Sequence, residues 1–189
     1  MGTSSSVLQE EEIREIQKET GFSSNQIIRL YSRFTSLDKS DQGFLRRAEF
    51  LWIPELAINP LGDRIVQAFF QESGSDTVNF RQFMRVLARF RPVKKDALKN
   101  KLNDREEKLK FAFRMYDLDD DNMISRDELL NVLHMMVGDN ISDEQLASIA
   151  DRTIHEVDLD KDSCISCEEF IKAMENVDVE QKMSIRFLN

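Results

Sequence analysis

The chain has 189 residues, of which 41% are hydrophobic and 32% charged, a composition typical of one globular domain or two small lobes. With 26 Lys and Arg against 35 Asp and Glu, its net charge at pH 7 is −9. Because phosphate contacts need clustered cations, this balance argues against a nucleic-acid partner and favours bound cations or a basic protein partner.

The N-terminal segment carries a lipidation pattern. Residues 1–6 read MGTSSS, which fits the acceptor pattern for myristoylation of Gly2; the pattern is short, and the alternative is a plain Ser-rich tail. Residues 1–12 lack the basic start and apolar block of a secretory signal peptide, and no apolar run reaches the roughly 20 residues that span a bilayer. We assign residues 1–20 to a myristoylated segment and a first helix.

A polar, acidic loop between two amphipathic stretches recurs along the rest of the chain. The twelve-residue pattern that binds calcium fits at loop starts 38, 71, 117 and 158. Apolar residues at helical spacing flank each loop, and capping boxes of Ser23 with Gln26 and of Ser142 with Gln145 mark two helix starts. This helix–loop–helix unit is the EF-hand, so the sequence predicts an all-α fold of two lobes with two EF-hands each.

The first two loops depart from the calcium pattern. The first keeps the acids Asp38 and Glu49 at its ends but places Arg46 at position 9, which predicts a weak site at best. The second has Gln71 and Gln82 at positions 1 and 12, so we expect it to bind no calcium.

The predicted domains follow from this pairing of loops. Residues 21–91 form an N-terminal lobe with degenerate loops, 109–176 a calcium-binding C-terminal lobe, and 177–189 an apolar tail that either lines or covers a groove. Residues 92–108 contain a proline and mixed charges and are predicted to be a linker, with a basic docking site as the alternative. Position 8 of each loop is apolar, which predicts a short antiparallel pairing within each lobe. The residues concerned are Leu45, Val78, Ile124 and Ile165.

The third loop supplies oxygen at every offset that calcium needs. Its candidate ligands are Asp117, Asp119, Asp121, the backbone carbonyl of Met123, Ser125 and Glu128. Glu128 at position 12 has the reach for a bidentate grip. Asn122 takes position 6, where the turn requires positive φ and Gly is usual.

The fourth loop repeats the arrangement. Its candidate ligands are Asp158, Asp160, Asp162, the backbone carbonyl of Cys164, Ser166 and Glu169. Ser163 takes position 6 at some cost in backbone strain. Cys164 and Cys167 fall at positions 7 and 10, which accounts for the Cys-x-x-Cys pattern; redox chemistry and half a zinc site are the alternatives. The two complete loops predict two calcium ions per chain.

Surplus apolar residues indicate a partner. The chain has 13 Phe and 8 Met but one Trp, and Phe and Met fill cores and adaptable grooves. With Met135 beside Met136, this favours a groove for an amphipathic helix, against the alternatives of a closed core or a simple calcium buffer. No phosphate-binding Gly loop and no nucleophile–base pair is visible, so we expect no enzymatic activity.

Several segments resemble the calcineurin B homologous proteins, over nearly the whole chain. The matching stretches are ETGFS (19–23), NPLGDR (59–64), DRT (151–153) and DVEQKMSIRFL (178–188). The resemblance implies myristate on Gly2 and calcium in the third and fourth loops. It also implies binding to the cytoplasmic juxtamembrane helix of plasma-membrane sodium/proton exchangers, which supports pH regulation.

The same resemblance implies a cytoplasmic protein that is peripheral at the plasma membrane through its myristate and its partner. Inhibition of calcineurin, microtubule-linked vesicle traffic and nuclear shuttling through export segments near 132–141 and 174–185 are implied too. The linker departs from the family pattern. The leading alternative is calcineurin B itself, a phosphatase regulatory protein that pairs with the calcineurin catalytic subunit and has calcium in its first two loops as well.

Myristoylation of Gly2 is directly testable. We expect mass spectrometry of the full chain expressed in a eukaryotic host to show one myristoyl group on Gly2, and a Gly2→Ala variant to show none. One myristoyl chain gives only marginal membrane attachment, and the acidic run Glu10–Glu12 opposes binding to anionic lipid. An unmodified Gly2 in the wild-type protein would contradict the prediction.

Overall fold

The computed structural model describes residues 8–91, 100–179 and 183, so Gly2, residues 92–99 and most of the predicted tail lie outside it. The N-terminal half is helical with one short ladder. Its elements are α1 (Glu10–Thr20), α2 (Ser24–Leu37), β1 (Phe44–Leu45), α3 (Arg47–Phe50), α4 (Pro54–Ala57), α5 (Gly62–Ser73), β2 (Val78–Asn79) and α6 (Phe80–Ala88).

The C-terminal half repeats this plan. Its elements are a 3-10 turn (Lys101–Asn103), α7 (Arg105–Tyr116), β3 (Met123–Ser125), α8 (Arg126–Val137), a second 3-10 turn (Gly138–Asn140), α9 (Asp143–Val157), β4 (Cys164–Ser166) and α10 (Cys167–Ala173). The predicted all-α EF-hand fold is confirmed. Within the described residues, no helix combines the length and apolarity needed to cross a membrane.

The short ladders form as the loop pattern predicts. Leu45 pairs with Val78 in the N-terminal lobe, and Ile124 pairs with Ile165 in the C-terminal lobe, both antiparallel. All four side chains are almost completely buried. Each ladder therefore joins two loops through backbone hydrogen bonds and anchors them in the core beneath.

The predicted capping boxes are also confirmed. Gln26 N donates to Ser23 Oγ at 3.3 Å, and Ser23 N donates to Gln26 Oε1 at 2.9 Å. Ser142 and Gln145 make the same reciprocal pair at the start of α9. These bonds satisfy amide groups that have no partner within the helix, which fixes where α2 and α9 begin.

The linker predicted at residues 92–108 is too long at its C-terminal end. Residues 92–99 are not described, but a 3-10 turn forms at Lys101–Asn103 and α7 begins at Arg105, well before the predicted boundary at 109. The Asp104 side chain caps this helix by accepting from Glu107 N at 2.8 Å. The last four residues assigned to the linker, 105–108, therefore belong to a packed helix. Within it Lys108 is fully buried, and its ammonium group donates to the Arg89 carbonyl.

Helix α7 is shared by two hydrophobic cores. Leu109 and Phe113 belong to the C-terminal core, whereas Phe111 and Met115 belong to the N-terminal core. Residues two apart on a helix point to nearly opposite sides, so α7 lies between the lobes with one face in each. Phe111 also stacks edge-on against Phe90, with ring centroids 4.9 Å apart. The lobes therefore pack directly against each other.

An alternating chain of ion pairs ties α1 to the rest of the molecule. It runs Glu15–Arg81–Glu19–Arg85–Glu72–Arg89–Glu107 and links α1, α6, α5 and α7. Its inner end is buried, since the side chain of Arg89 is 6% exposed and that of Glu72 14%. Burial alone would raise the pKa of Glu72, but hydrogen bonds and charge from Arg85 and Arg89 outweigh it and lower the pKa.

The pKa direction gives a pH-dependent stability prediction. Glu72→Gln leaves Arg89 buried without its main partner, so we expect the free energy of unfolding at pH 7 to fall by about 3 kcal/mol. Because the folded-state pKa of Glu72 is lowered, its contribution is complete above about pH 4.3, the ordinary glutamate value, and is lost at lower pH as Glu72 protonates. Denaturant unfolding at several pH values measures both effects.

The control for this experiment is Glu10→Gln, which removes an acid whose side chain is 89% exposed. We expect its effect to stay below about 0.5 kcal/mol. A difference between wild type and Glu72→Gln that did not shrink at acid pH would contradict the ion-pair origin.

Candidate calcium centre and partner groove

In each complete loop, backbone amides of the turn donate hydrogen bonds to the carboxylate of the first aspartate. Asp117 accepts from the amides of Asp121 and Asn122 at 3.1 and 3.0 Å. Asp158 accepts from the amides of Lys161 and Ser163 at 2.6 and 2.9 Å. These bonds hold the carboxylates at the centre of the turn, where a cation would sit.

The turns require left-handed backbone at positions 4 and 6. In the third loop φ is 59° at Asp120 and 68° at Asn122, and in the fourth it is 63° at Lys161 and 72° at Ser163. The positive φ predicted at position 6 is therefore confirmed. For Lys161 and Ser163 this conformation costs roughly 1–2 kcal/mol each, whereas Asp120 and Asn122 tolerate it better. The backbone strain is therefore larger in the fourth loop.

The position-12 glutamates close the loops. Glu128 Oε1 accepts from the amides of Leu118 and Asp119 at 2.7 and 3.2 Å, and its Oε2 accepts from Ser125 N and Oγ at 2.8 and 2.7 Å. Burial works to raise the pKa of Glu128, but these hydrogen bonds outweigh burial and lower it. Both oxygens are thus held ionised over the loop.

Glu169 occupies the equivalent place in the fourth loop. Its oxygens accept from Leu159 N at 2.7 Å and from Ser166 N and Oγ at 2.9 and 2.8 Å, and the backbone amides lower its pKa. The predicted ligands Ser125 and Ser166 therefore serve as helix caps in this structure. Their hydroxyl groups donate to the two glutamates.

Carboxylates cluster in both loops. In the third loop, oxygens of Asp117, Asp119 and Glu128 all lie within 4.8 Å of one another; Asp121 lies outside this group and accepts from Met123 N at 2.8 Å. The pKa of Asp117 and that of Asp119 are raised, mainly by burial and further by the charge of Glu128. Hydrogen bonds from backbone amides lower them, but by less. Such crowding is relieved by a cation.

In the fourth loop the cluster consists of Asp158, Asp160 and Asp162, within the same 4.8 Å limit, and Glu169 lies outside it. Met123 and Cys164 stand at the starts of β3 and β4, where only their carbonyl oxygens were predicted to serve as ligands. The donors are hard oxygens, which is the set that Ca²⁺ prefers, so the residues of both loops fit the ion.

The two cysteines lie in this loop as free thiols. Burial raises the pKa of both, and nearby carboxylates raise that of Cys164 further. A raised pKa keeps a thiol protonated and unreactive, which favours their interpretation as small loop residues over redox chemistry.

The two degenerate loops differ from each other. Asp38 holds the first loop in the same way, accepting from Gln42 and Gly43 amides at 3.1 and 2.6 Å. In the second loop α5 continues to Ser73, and Gly74 at position 4 has positive φ while position 6 does not. The first loop thus has the calcium fold with only part of the ligand set, and the second lacks both the fold and the end acids. That the first loop binds calcium weakly at best and the second not at all stays a prediction.

An apolar groove opens in the N-terminal lobe. It has a volume of about 260 Å³ and is lined by side chains from five helices, α2 to α6. These include Leu30 of α2, Leu56 of α4, Ile65 and Phe69 of α5, and Leu87 of α6. This groove lies in the N-terminal lobe, whereas Met135 and Met136, which the sequence singles out, lie in the C-terminal lobe and are about half exposed.

Close packing of α4 on α5 shapes one wall of this groove. A Cβ atom at Gly62 would lie 2.1 Å from the carbonyl oxygen of Leu56, so only glycine fits at the first residue of α5. The NPLGDR segment singled out in the sequence is therefore the structural support of the groove wall.

The start of the tail is packed rather than free. Val179 is buried in the C-terminal core, and Met183 contacts both hydrophobic cores. Arg105 donates to the carbonyls of Met174 and Val177 at 2.6 and 2.9 Å, which fixes the chain after α10. Residues 180–182 and 184–189, which make up the rest of the predicted tail, lie outside the described residues.

Comparison with known proteins assigns the family. A family model described as an EF-hand domain pair matches residues 106–175. The calcineurin B subunit of Naegleria gruberi is 47% identical over 186 residues, which cover 98% of this chain and 99% of that protein. The chain belongs to the calcineurin B family.

Other members of the family extend over the same length. The type 1 calcineurin B subunit of Dictyostelium discoideum is 42% identical over 188 residues, covering 99% of each chain. The calcineurin B subunit of Candida glabrata is 38% identical over 175 residues, covering 93% of this chain and 94% of its own. These relatives support a calcineurin B-like EF-hand protein and do not bear out the narrower group of exchanger-binding homologous proteins.

Calcium stoichiometry tests the two complete loops. By calorimetric titration we expect about two ions per wild-type chain, and about one after either Glu128→Gln or Glu169→Gln, because each change deletes the bidentate ligand. The matched control is Glu49→Gln, which alters position 12 of the first loop and should leave the stoichiometry unchanged. Four tight sites in the wild type would overturn the prediction.

Proposed function

We propose that this protein is a calcium-dependent regulatory subunit that binds an amphipathic helix of a protein phosphatase catalytic subunit of the calcineurin type. The observation that carries the proposal is the apolar groove of the N-terminal lobe, in a chain similar over its full length to calcineurin B subunits. A simple calcium buffer has no use for such a groove.

The groove suits the apolar face of a helix. Nine of its twelve lining residues are Leu, Ile or Phe, and the ion pair of Arg33 with Glu55, 3.4 Å apart, forms part of the polar remainder. An amphipathic helix would bury its apolar stripe against the lining and leave its polar face to solvent. A basic flank on the partner would be attracted, because two Ca²⁺ change the net charge from −9 to about −5.

Calcium would support this function by ordering the C-terminal lobe. The clustered carboxylates of the third and fourth loops repel one another, and neutralising them removes a force that separates the helices on either side. Because α7 contributes Phe111 and Met115 to the N-terminal core, a more ordered C-terminal lobe also steadies the lobe that carries the groove.

A juxtamembrane helix of a sodium/proton exchanger is the second candidate partner. Two observations favour it: the segments 19–23, 59–64 and 178–188 resemble exchanger-binding homologous proteins, and the first two loops lack the ligands expected of calcineurin B. In that case the protein would be peripheral at the cytoplasmic face of the plasma membrane, attached through the exchanger and a myristoyl group on Gly2. Inhibition of calcineurin would then follow from competition for one catalytic-subunit helix.

Calorimetric titration with two peptides tests the function and separates the partners. One peptide is the helix of a calcineurin catalytic subunit that contacts calcineurin B, and the other is an exchanger juxtamembrane helix; each is titrated with and without calcium. We expect the calcineurin helix to bind more tightly, with calcium strengthening the affinity. Tighter binding of the exchanger peptide would reassign the partner.

A pair of variants links binding to the groove. Leu56→Gln places an amide in the lining and should weaken binding about tenfold, because the burial of one leucine is lost. Ile58→Gln is the matched control, since Ile58 is 83% exposed and lies outside the lining. Binding of neither peptide at about 1 mM, which corresponds to roughly −4 kcal/mol, would leave the buffer as the better interpretation.

A further inference from the structure

Helix α5 of the degenerate second EF-hand reaches across to the third calcium loop. The guanidinium group of Arg64 donates to three backbone carbonyls at the end of α7: Nη2 to Arg114 O at 2.6 Å and to Asp117 O at 2.5 Å, and Nε to Met115 O at 3.3 Å. Its Nη1 donates to Gln67 Oε1 on the same helix at 3.2 Å, which holds the side chain in place.

These contacts act at the first calcium ligand. The last carbonyls of a helix have no partner within it and carry partial negative charge, so a rigid five-donor fork is suited to hold them. Asp117 is both the residue whose carbonyl Arg64 binds and position 1 of the third loop. Arg64 therefore fixes the backbone that presents the Asp117 carboxylate.

Gln71 makes a second bridge to the same loop. Its side-chain amide donates to Asp120 Oδ1 at 2.7 Å, and Asp120 is one of the two residues of that loop with positive φ. Gln71 stands at position 1 of the second loop, where a calcium-binding loop would have an aspartate. This position, which lacks the acid of a calcium ligand, thus contacts the neighbouring loop.

The same helix forms part of the groove. Ile65, next to Arg64, and Phe69, between Arg64 and Gln71, both line it. A helix bound in the groove would therefore press on α5, whose other side chains hold the third loop. Among the residues that the structure describes, α5 donates no comparable side-chain hydrogen bond to the fourth loop.

We propose that Arg64 and Gln71 are positioning residues for the third calcium loop, and that they couple it to the groove, so that a bound partner helix raises the calcium affinity of the third loop selectively. The coupling to the groove rests on the proposed function, whereas the positioning role of Arg64 and Gln71 does not. By linkage, calcium in the third loop must strengthen helix binding by the same factor.

The test measures the calcium affinity of each loop separately in the full-length chain. Glu169→Gln leaves only the third loop to be titrated, and Glu128→Gln leaves only the fourth. Into each background we introduce Arg64→Lys, which keeps the positive charge but cannot hold three carbonyls in a fork, and Arg14→Lys as the matched control, because the Arg14 side chain is 77% exposed.

We expect Arg64→Lys to lower the calcium affinity of the third loop about tenfold, because one charge-assisted hydrogen bond is lost. The calcium affinity of the fourth loop should fall by less than about twofold. Amide hydrogen exchange of the calcium-free protein gives a second, independent measurement. The exchange should be faster over residues 114–121 in the Arg64→Lys variant than in the wild type. An unchanged third loop, or equal weakening of both loops, would overturn the positioning role.

The coupling is measured by repeating the titrations with the calcineurin catalytic-subunit peptide at saturation. We expect the peptide to raise calcium affinity in the third loop about fivefold with Arg64 present, and to have almost no effect after Arg64→Lys. A peptide effect that persisted in the variant would overturn the coupling. If the peptide does not bind at all, the proposed function fails for this partner and the coupling with it, while the calcium titrations still decide the positioning role.

Discussion

The insertion of α7 between two hydrophobic cores is the constraint on which the rest of the structure depends. Leu109 and Phe113 pack into one lobe, and Phe111 and Met115 pack into the other. A helix shared in this way cannot move with one lobe without disturbing the other. Since α7 ends at the first ligand of the third loop, the calcium centre is tied to the packing of the whole molecule and not only to its own lobe.

The N-terminal lobe keeps the EF-hand scaffold and uses it for contacts with other parts of the chain. Its ladder pairs Leu45 with Val78 in the same way that Ile124 pairs with Ile165 in the other lobe. The polar residues of its second loop, however, contact other side chains of the protein. Glu72 pairs with Arg85 of α6 and with Arg89 just beyond that helix, and Gln71 bridges to the third loop. This half-site contacts the third loop across the interface between the lobes, and its helix α5 forms a wall of the groove.

The loops and the groove place different demands on the backbone. In the complete loops, Asn122 and Ser163 hold positive φ without the relief that glycine gives, and the carboxylates around them repel. The groove wall instead depends on one glycine, Gly62, where no side chain fits. Backbone strain thus lies at the turns of the loops, where a cation would compensate it, while the groove wall depends on close packing at Gly62.

The sequence by itself determined the four loop positions, the ladder pairs and the capping boxes, because these depend on residues close together in the chain with fixed offsets. It could not place the start of α7, since Lys108 has the character of a solvated charge until its ammonium group is seen to donate to the Arg89 carbonyl. The groove in the N-terminal lobe, the ion-pair chain from Glu15 to Glu107 and the hold of Arg64 on the third loop were decided only by the tertiary structure. Each joins residues far apart in sequence, and no local pattern of charge or hydrophobicity specifies which of many arginines meets which acid or carbonyl.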